Sequence, residues 1–84
     1  MNDLELLKKK IKYRASYRGT KEMDILLTSF VISAINKLEY LDLLKLDDFL
    51  NINDEDIYNF YFNSNPIPSF NEEKILNLFK YFKI

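Results

Sequence analysis

Apolar residues recur along this chain at helical spacing. The clearest stretch is Met23, Leu26, Leu27, Phe30, Val31, Ala34 and Ile35, which fall at i, i+3, i+4, i+7, i+8, i+11 and i+12 counted from Met23. At 100° per residue these positions form one continuous face, the pattern of an amphipathic helix. The spacing predicts a helix over Thr20 to Asn36. Glu22, Ser29 and Ser33 lie along one edge of that face, with Ile25 and Ile32 just beyond. The two isoleucines either stand exposed, as an apolar strip beside a fixed carboxylate that suits a partner surface, or pack under the next helix.

The flanking segments repeat the pattern more weakly. Leu4, Leu7 and Ile11 follow a capping-box pair, Asn2 and Glu5, and predict a first helix over Asp3 to Ser16. Lys12 and Arg14 near its end suit the negative pole of the helix dipole. Leu38 to Leu50 is apolar but fits no period, so a third helix there rests on propensity and length. Asn53 before Asp54, Glu55 and Asp56 reads as the acid-rich start of a short aromatic helix, which the turn-forming run Asn63 to Pro68 ends. Ser69 with Glu72 forms a second capping-box pattern and predicts a last helix whose face is Ile75, Leu78, Phe79 and Phe82.

One Gly and two Pro leave few turn-makers, which disfavours β structure. The expectation is an all-α, compact five-helix bundle forming a single domain over residues 1–84, with no internal repeat. At 48% hydrophobic and 15% aromatic residues, the chain can fill one core and is not of disordered composition.

Composition narrows the chemistry sharply. With no Cys and no His, the chain has no disulfide, no thiolate nucleophile, no Cys or His metal ligand and no Ser/His/Asp or Cys/His catalytic set. No carboxylate pair stands out as an acid/base couple, so the sequence predicts a protein that is not an enzyme and holds no metal. The net charge of −1 hides a bipolar distribution: residues up to Lys21 carry 7 basic and 2 acidic side chains, the remainder 5 and 11. The acidic bulk argues against nucleic acid as a partner, and the basic first helix is expected to pair with the acidic helices.

The first residues are acidic where a leader would be basic, so a start at Met1 without a targeting signal is expected. The longest uncharged run, Ile25 to Asn36, is too short to span a bilayer. These features predict a soluble protein, and the absence of Cys is compatible with a reducing cytosol.

Two local patterns fail as sites. Asn51 to Asp56 begins like a calcium loop, but Asp56 stands where such a loop needs Gly and Phe62 where it needs a bidentate Glu. A helix-turn-helix reading places Glu22 and Asp24 where phosphates and bases would be approached. What remains is Arg18-Gly19-Thr20-Lys21-Glu22-Met23-Asp24. By position alone, Gly19 is a left-handed or tight cap between two helices, and Arg18 and Glu22, four apart, form a surface ion pair of little energetic value.

The stretch Tyr13-Arg14-Ala15-Ser16-Tyr17-Arg18-Gly19-Thr20-Lys21-Glu22-Met23-Asp24-Ile25-Leu26-Leu27 resembles the signature of the SdhE-like family of succinate dehydrogenase assembly factors. Arg18, Gly19 and Glu22 match that family's Arg-Gly-x-x-Glu motif, and Met23 and Asp24 match its extension. A second block, Phe49 to Phe60, resembles the family's leucine-rich turn leading to Asp-Leu-Tyr/Phe-x-Trp. The chain departs from the pattern at Tyr17, where Arg or His is usual, at Phe60, where Trp is usual, and at Thr28-Ser29.

The resemblance implies a helper that binds the flavoprotein subunit of succinate dehydrogenase, and in some bacteria of fumarate reductase, and promotes covalent attachment of FAD. It implies that Arg18, Gly19, Glu22 and Asp24, with Arg14, Tyr17 and Met23, make the partner-binding face. It further implies a monomer in the bacterial cytoplasm that binds no cofactor stably, the FAD being the partner's. Gly19→Arg or Glu22→Ala is then expected to abolish flavinylation and leave the fold near intact. The competing expectation is a generic helical interaction module, of antitoxin or inhibitor type, in which the motif is only a cap.

Overall fold

Asn2 opens the first helix by accepting the Glu5 backbone N–H on Oδ1 at 2.8 Å, which satisfies one of the amides a helix start leaves unpaired. The computed structural model describes residues 2–84, so the expected start at Met1 lies outside the described residues. Among them are five helices and no strand: α1 (Asp3–Ser16), α2 (Lys21–Ala34), α3 (Tyr40–Phe49), α4 (Asp54–Asn63) and α5 (Glu73–Lys80). The all-α, five-helix expectation therefore holds. None of these helices is long and apolar enough to cross a membrane.

The predicted face of α2 is buried along its whole length, from Met23 to Ile35, while Ile25 and Ile32 stand exposed. α1 packs along α2 and α3, and α5 packs on α3 and α4. Between them lies an aromatic centre. Phe30 of α2 meets Phe79 of α5 at 4.9 Å between ring centroids, and Phe49 of α3 meets Phe79 at 5.2 Å. These tilted and edge-on contacts suit the ring quadrupoles.

Charge ties the outer layer together as expected. Lys10 and Arg14 of basic α1 both pair with Asp47 of α3, at 3.0 and 2.6 Å. The poor periodicity of the third segment also has a cause. Leu43, Leu46, Phe49 and Leu50 face the core, but Leu41 and Leu44 are exposed, so leucines occupy both faces of α3. Leu38 is buried just ahead of the helix.

One predicted helix start is corrected. Ser69 and Glu72 form no capping box; α5 begins at Glu73, and its N-cap Glu72 makes no side-chain cap bond. Ile67 and Phe70 are both buried, and the Phe70 N–H donates to the Ile67 carbonyl at 3.3 Å. Holding both apolar side chains in the core bends residues 67–70 into a turn, so the helix starts after them. Upstream, Ser64 ends α4 with a left-handed φ of 58°, and the Asn65 N–H donates to the Asn59 carbonyl at 3.1 Å.

Candidate functional site

Residues 17–20 connect α1 to α2, and their shape is set by a segment more than 30 positions away. Arg18 projects into the turn between α3 and α4. Its Nε donates to Asp54 Oδ1 at 2.8 Å, and its two terminal nitrogens donate to the Leu50 and Ile52 carbonyls, each at 2.8 Å. The guanidinium thus meets the carbonyl of Leu50, the C-cap of α3, where a helix carries negative partial charge, and that of Ile52 in the turn before α4. Its side chain keeps only 10% of its exposure. The expected Arg18–Glu22 ion pair does not form, because Arg18 is committed to Asp54 and Glu22 stands exposed on the first turn of α2.

Asp54 uses its second oxygen on the adjacent residue. The Gly19 backbone N–H donates to Asp54 Oδ2 at 2.7 Å. Gly19 has no positive φ, which removes the left-handed cap as its explanation. Thr20 is the cap instead, its Oγ1 accepting the Met23 N–H at 3.2 Å. What the position requires is closeness: a Cβ built on Gly19 would sit 3.0 Å from Asp54 Oδ2. Asp24 closes the loop from the other side, its Oδ1 accepting the Arg18 N–H at 2.5 Å. Two carboxylates, one guanidinium and one glycine amide thus lock the motif into a single shape by charge-assisted hydrogen bonds.

The structure places the motif residues in different roles. Arg14 donates to the Asp47 carbonyl and carboxylate and to Asn51, so it staples α1 to the end of α3. Arg18 and Asp24 are half-buried inside the knot, and Met23 lies in the core at 3% exposure. Tyr17, Gly19 and Glu22 face solvent. Tyr17 is 70% exposed and packs against Tyr13 with the rings tilted by 37° and their centroids 4.5 Å apart. Ile25 extends this surface one turn along α2.

Sequence reasoning missed the far side of the site. Thr20, Glu22, Met23, Asp54, Glu55 and Tyr58 line an open groove of about 570 Å³ between the start of α2 and the start of α4. Neither Glu22 nor Glu55 takes part in an ion pair among the described residues, so the groove carries negative charge. Asp54 and Glu55 had a signal, the acid run after Asn53, but that run reads equally well as a capped helix start. Asn53 does cap α4, accepting the Asp56 N–H at 2.8 Å. Among the described residues no polar or charged side chain is buried and no cluster of metal-ligating groups occurs. To solvent this loop offers an aromatic ring, a bare backbone position and a carboxylate.

Comparisons with known proteins agree with the motif. A family model described as flavinator of succinate dehydrogenase matches residues 9–83. The chain is 33% identical over 78 residues to succinate dehydrogenase assembly factor 2, mitochondrial, of Dictyostelium discoideum, covering 93% of this chain and 55% of that protein. It is 30% identical over 73 residues to the FAD assembly factor SdhE of Acetobacter pasteurianus, covering 87% of this chain and 64% of that protein. The chain thus spans between half and two-thirds of the length of these relatives. No solved structure matches it.

Proposed function

Since the chain belongs to the family of flavinators of succinate dehydrogenase, we propose that it binds the flavoprotein subunit of that enzyme and promotes its covalent flavinylation as a chaperone rather than a catalyst. The observation that carries the docking part is the knot around Arg18. It presents Tyr17, Gly19 and Glu22 to solvent on a loop whose shape is already fixed, so little conformational entropy is lost on binding. In this reading Tyr17, Gly19 and Glu22 touch the partner, while Arg14, Arg18, Met23 and Asp24 hold them in position.

Composition supports the chaperone part. Joining a flavin methyl carbon to a histidine is chemistry that the target's own histidine and its FAD can carry out, and this chain has neither His nor Cys to add. A helper need only favour the conformation in which those two groups meet, and binding selectively to the immature subunit does that. The FAD belongs to the partner in this proposal. Fumarate reductase, which has an equivalent subunit, is a second proposed target, and the proposed setting is the bacterial cytoplasm, with the helper acting as a monomer.

Affinity capture with the tagged chain tests the proposal. The expected result is retention of a large flavoprotein, with more of it held when its flavin is not yet covalent. A partner set without a flavoprotein contradicts it and favours a generic interaction module.

A further inference from the structure

A second groove opens at the other end of α2, away from the motif. Its floor is apolar, built from Phe30 and Ala34 of α2 and from Leu78 and Phe82 at and beyond α5, and it encloses about 610 Å³. Its rim is basic. After residue 21 the chain has 5 Lys and Arg residues against 11 carboxylates, yet Lys37, Lys74 and Lys83 all line this groove and no carboxylate does. Lys74 is partly neutralised by Asp42 at 2.7 Å, while Lys37 and Lys83 take part in no ion pair among the described residues.

The two grooves lie on the same side of α2. Glu22 lines the acidic one and Ser33 the basic one, and they are 11 residues apart. Eleven residues are about three helical turns, so both side chains share one edge of the helix at a separation of roughly 16 Å. One partner surface can therefore meet both grooves without wrapping around the molecule.

We propose that this basic groove is a second docking point for the flavoprotein subunit and takes an acidic segment of it that carries apolar anchors. The inference rests on the docking function proposed above. Charge complementarity selects the occupant: an apolar floor binds apolar side chains, and unpaired lysines at the rim favour a segment bearing Asp or Glu. The groove is open, with Tyr81 on its edge 70% exposed, which suits a protein segment better than a small molecule that needs most of its surface enclosed. An acidic pole and a basic pole on one face fix the direction in which the partner docks, since reversing it sets like charges together.

The experiment is a binding titration of the purified flavoprotein subunit against wild type, Lys37→Glu/Lys83→Glu, Lys37→Arg/Lys83→Arg and Glu22→Ala, at low and high salt, with thermal melts of each variant. The expected result is an affinity loss of about tenfold or more for the double Glu variant at low salt that narrows at high salt, with the double Arg variant near wild type. If the double Glu variant binds as wild type does while Glu22→Ala is impaired, docking at the motif stands and the second docking point is wrong. A loss equally large at high salt overturns the charge-based account of the groove. If wild type itself does not bind the subunit, the proposed function fails, and this inference with it.

Discussion

Asp54 holds Arg18 from 36 positions away, and the same carboxylate holds the amide of the residue after it. The two contacts, 2.8 Å to Arg18 Nε and 2.7 Å to the Gly19 N–H, make the α1–α2 connection and the α3–α4 turn one unit. The motif is therefore a tertiary structure as well as a run of residues.

Asp54→Ala should be among the more damaging substitutions outside the core. It leaves a guanidinium with only 10% of its exposure without its carboxylate and removes the acceptor of the Gly19 amide. Hydrogen bonds to charged groups contribute about 1.5–3 kcal/mol each, so urea denaturation should show a loss of about 2–3 kcal/mol. Asp54→Asn, which keeps one acceptor, should fall between Asp54→Ala and wild type.

Gly19→Ala should couple to Asp54. In the wild-type background the new Cβ meets Asp54 Oδ2 at 3.0 Å and displaces the carboxylate that holds Arg18, so stability falls. In an Asp54→Ala background the obstacle is gone and the backbone is not left-handed, so the same change should be neutral or stabilising by up to about 1 kcal/mol. A double-mutant cycle measures this difference, and additive effects would refute the contact. The contact also revises the expectation for Gly19→Arg, which strains the knot as well as blocking a partner. Glu22→Ala is the cleaner probe.

Phe79 sits at the centre of the aromatic cluster, fully buried and against Phe30, Phe49, Phe60 and Tyr61. Truncating a buried Phe to Ala costs about 3–5 kcal/mol. Small domains have total stabilities near the lower end of about 5–15 kcal/mol. Phe79→Ala should therefore keep at most about 2 kcal/mol of stability, so circular dichroism should show it melting far below wild type, with a measurable unfolded fraction at 37 °C where wild type keeps nearly all of its helix signal.

Asp42 and Lys74 predict a pH dependence. The Lys74 Nζ donates to Asp42 Oδ2 at 2.7 Å, and this bond holds the Asp42 carboxyl below its ordinary 3.8 and lifts the Lys74 ammonium above its ordinary 10.5. The Asp42 contribution to stability is complete above 3.8 and is lost as pH falls through the depressed native value; the Lys74 contribution is complete below 10.5 and is lost as pH rises through the elevated one. Melting temperatures of Asp42→Asn across this range should fall less steeply at both extremes than those of wild type.

What the sequence made legible was local. The N-caps Asn2 and Asn53 act over three residues, and the face of α2 repeats every turn, so both could be read directly. The start of α5 could not, because Ser69 and Glu72 have the local form of a cap while Ile67 and Phe70 are drawn into a core built by other helices. The site was half legible for the same reason. The motif residues stand out together, but Arg18 looks like a partner for Glu22 until Asp54 is brought beside it. The purpose of Gly19 is likewise invisible without the carboxylate that occupies the space of its missing side chain.

The central claim is that this chain promotes covalent flavin attachment through an exposed surface centred on Glu22, whose side chain takes part in no ion pair among the described residues. In-gel fluorescence of covalent flavin on the flavoprotein subunit, in cells lacking the helper, measures it most directly. Wild type should restore the fluorescent band, and Glu22→Ala should not, although its stability should stay within about 0.5 kcal/mol of wild type, as for most surface substitutions. A full band with Glu22→Ala, or no band with wild type, would contradict the account.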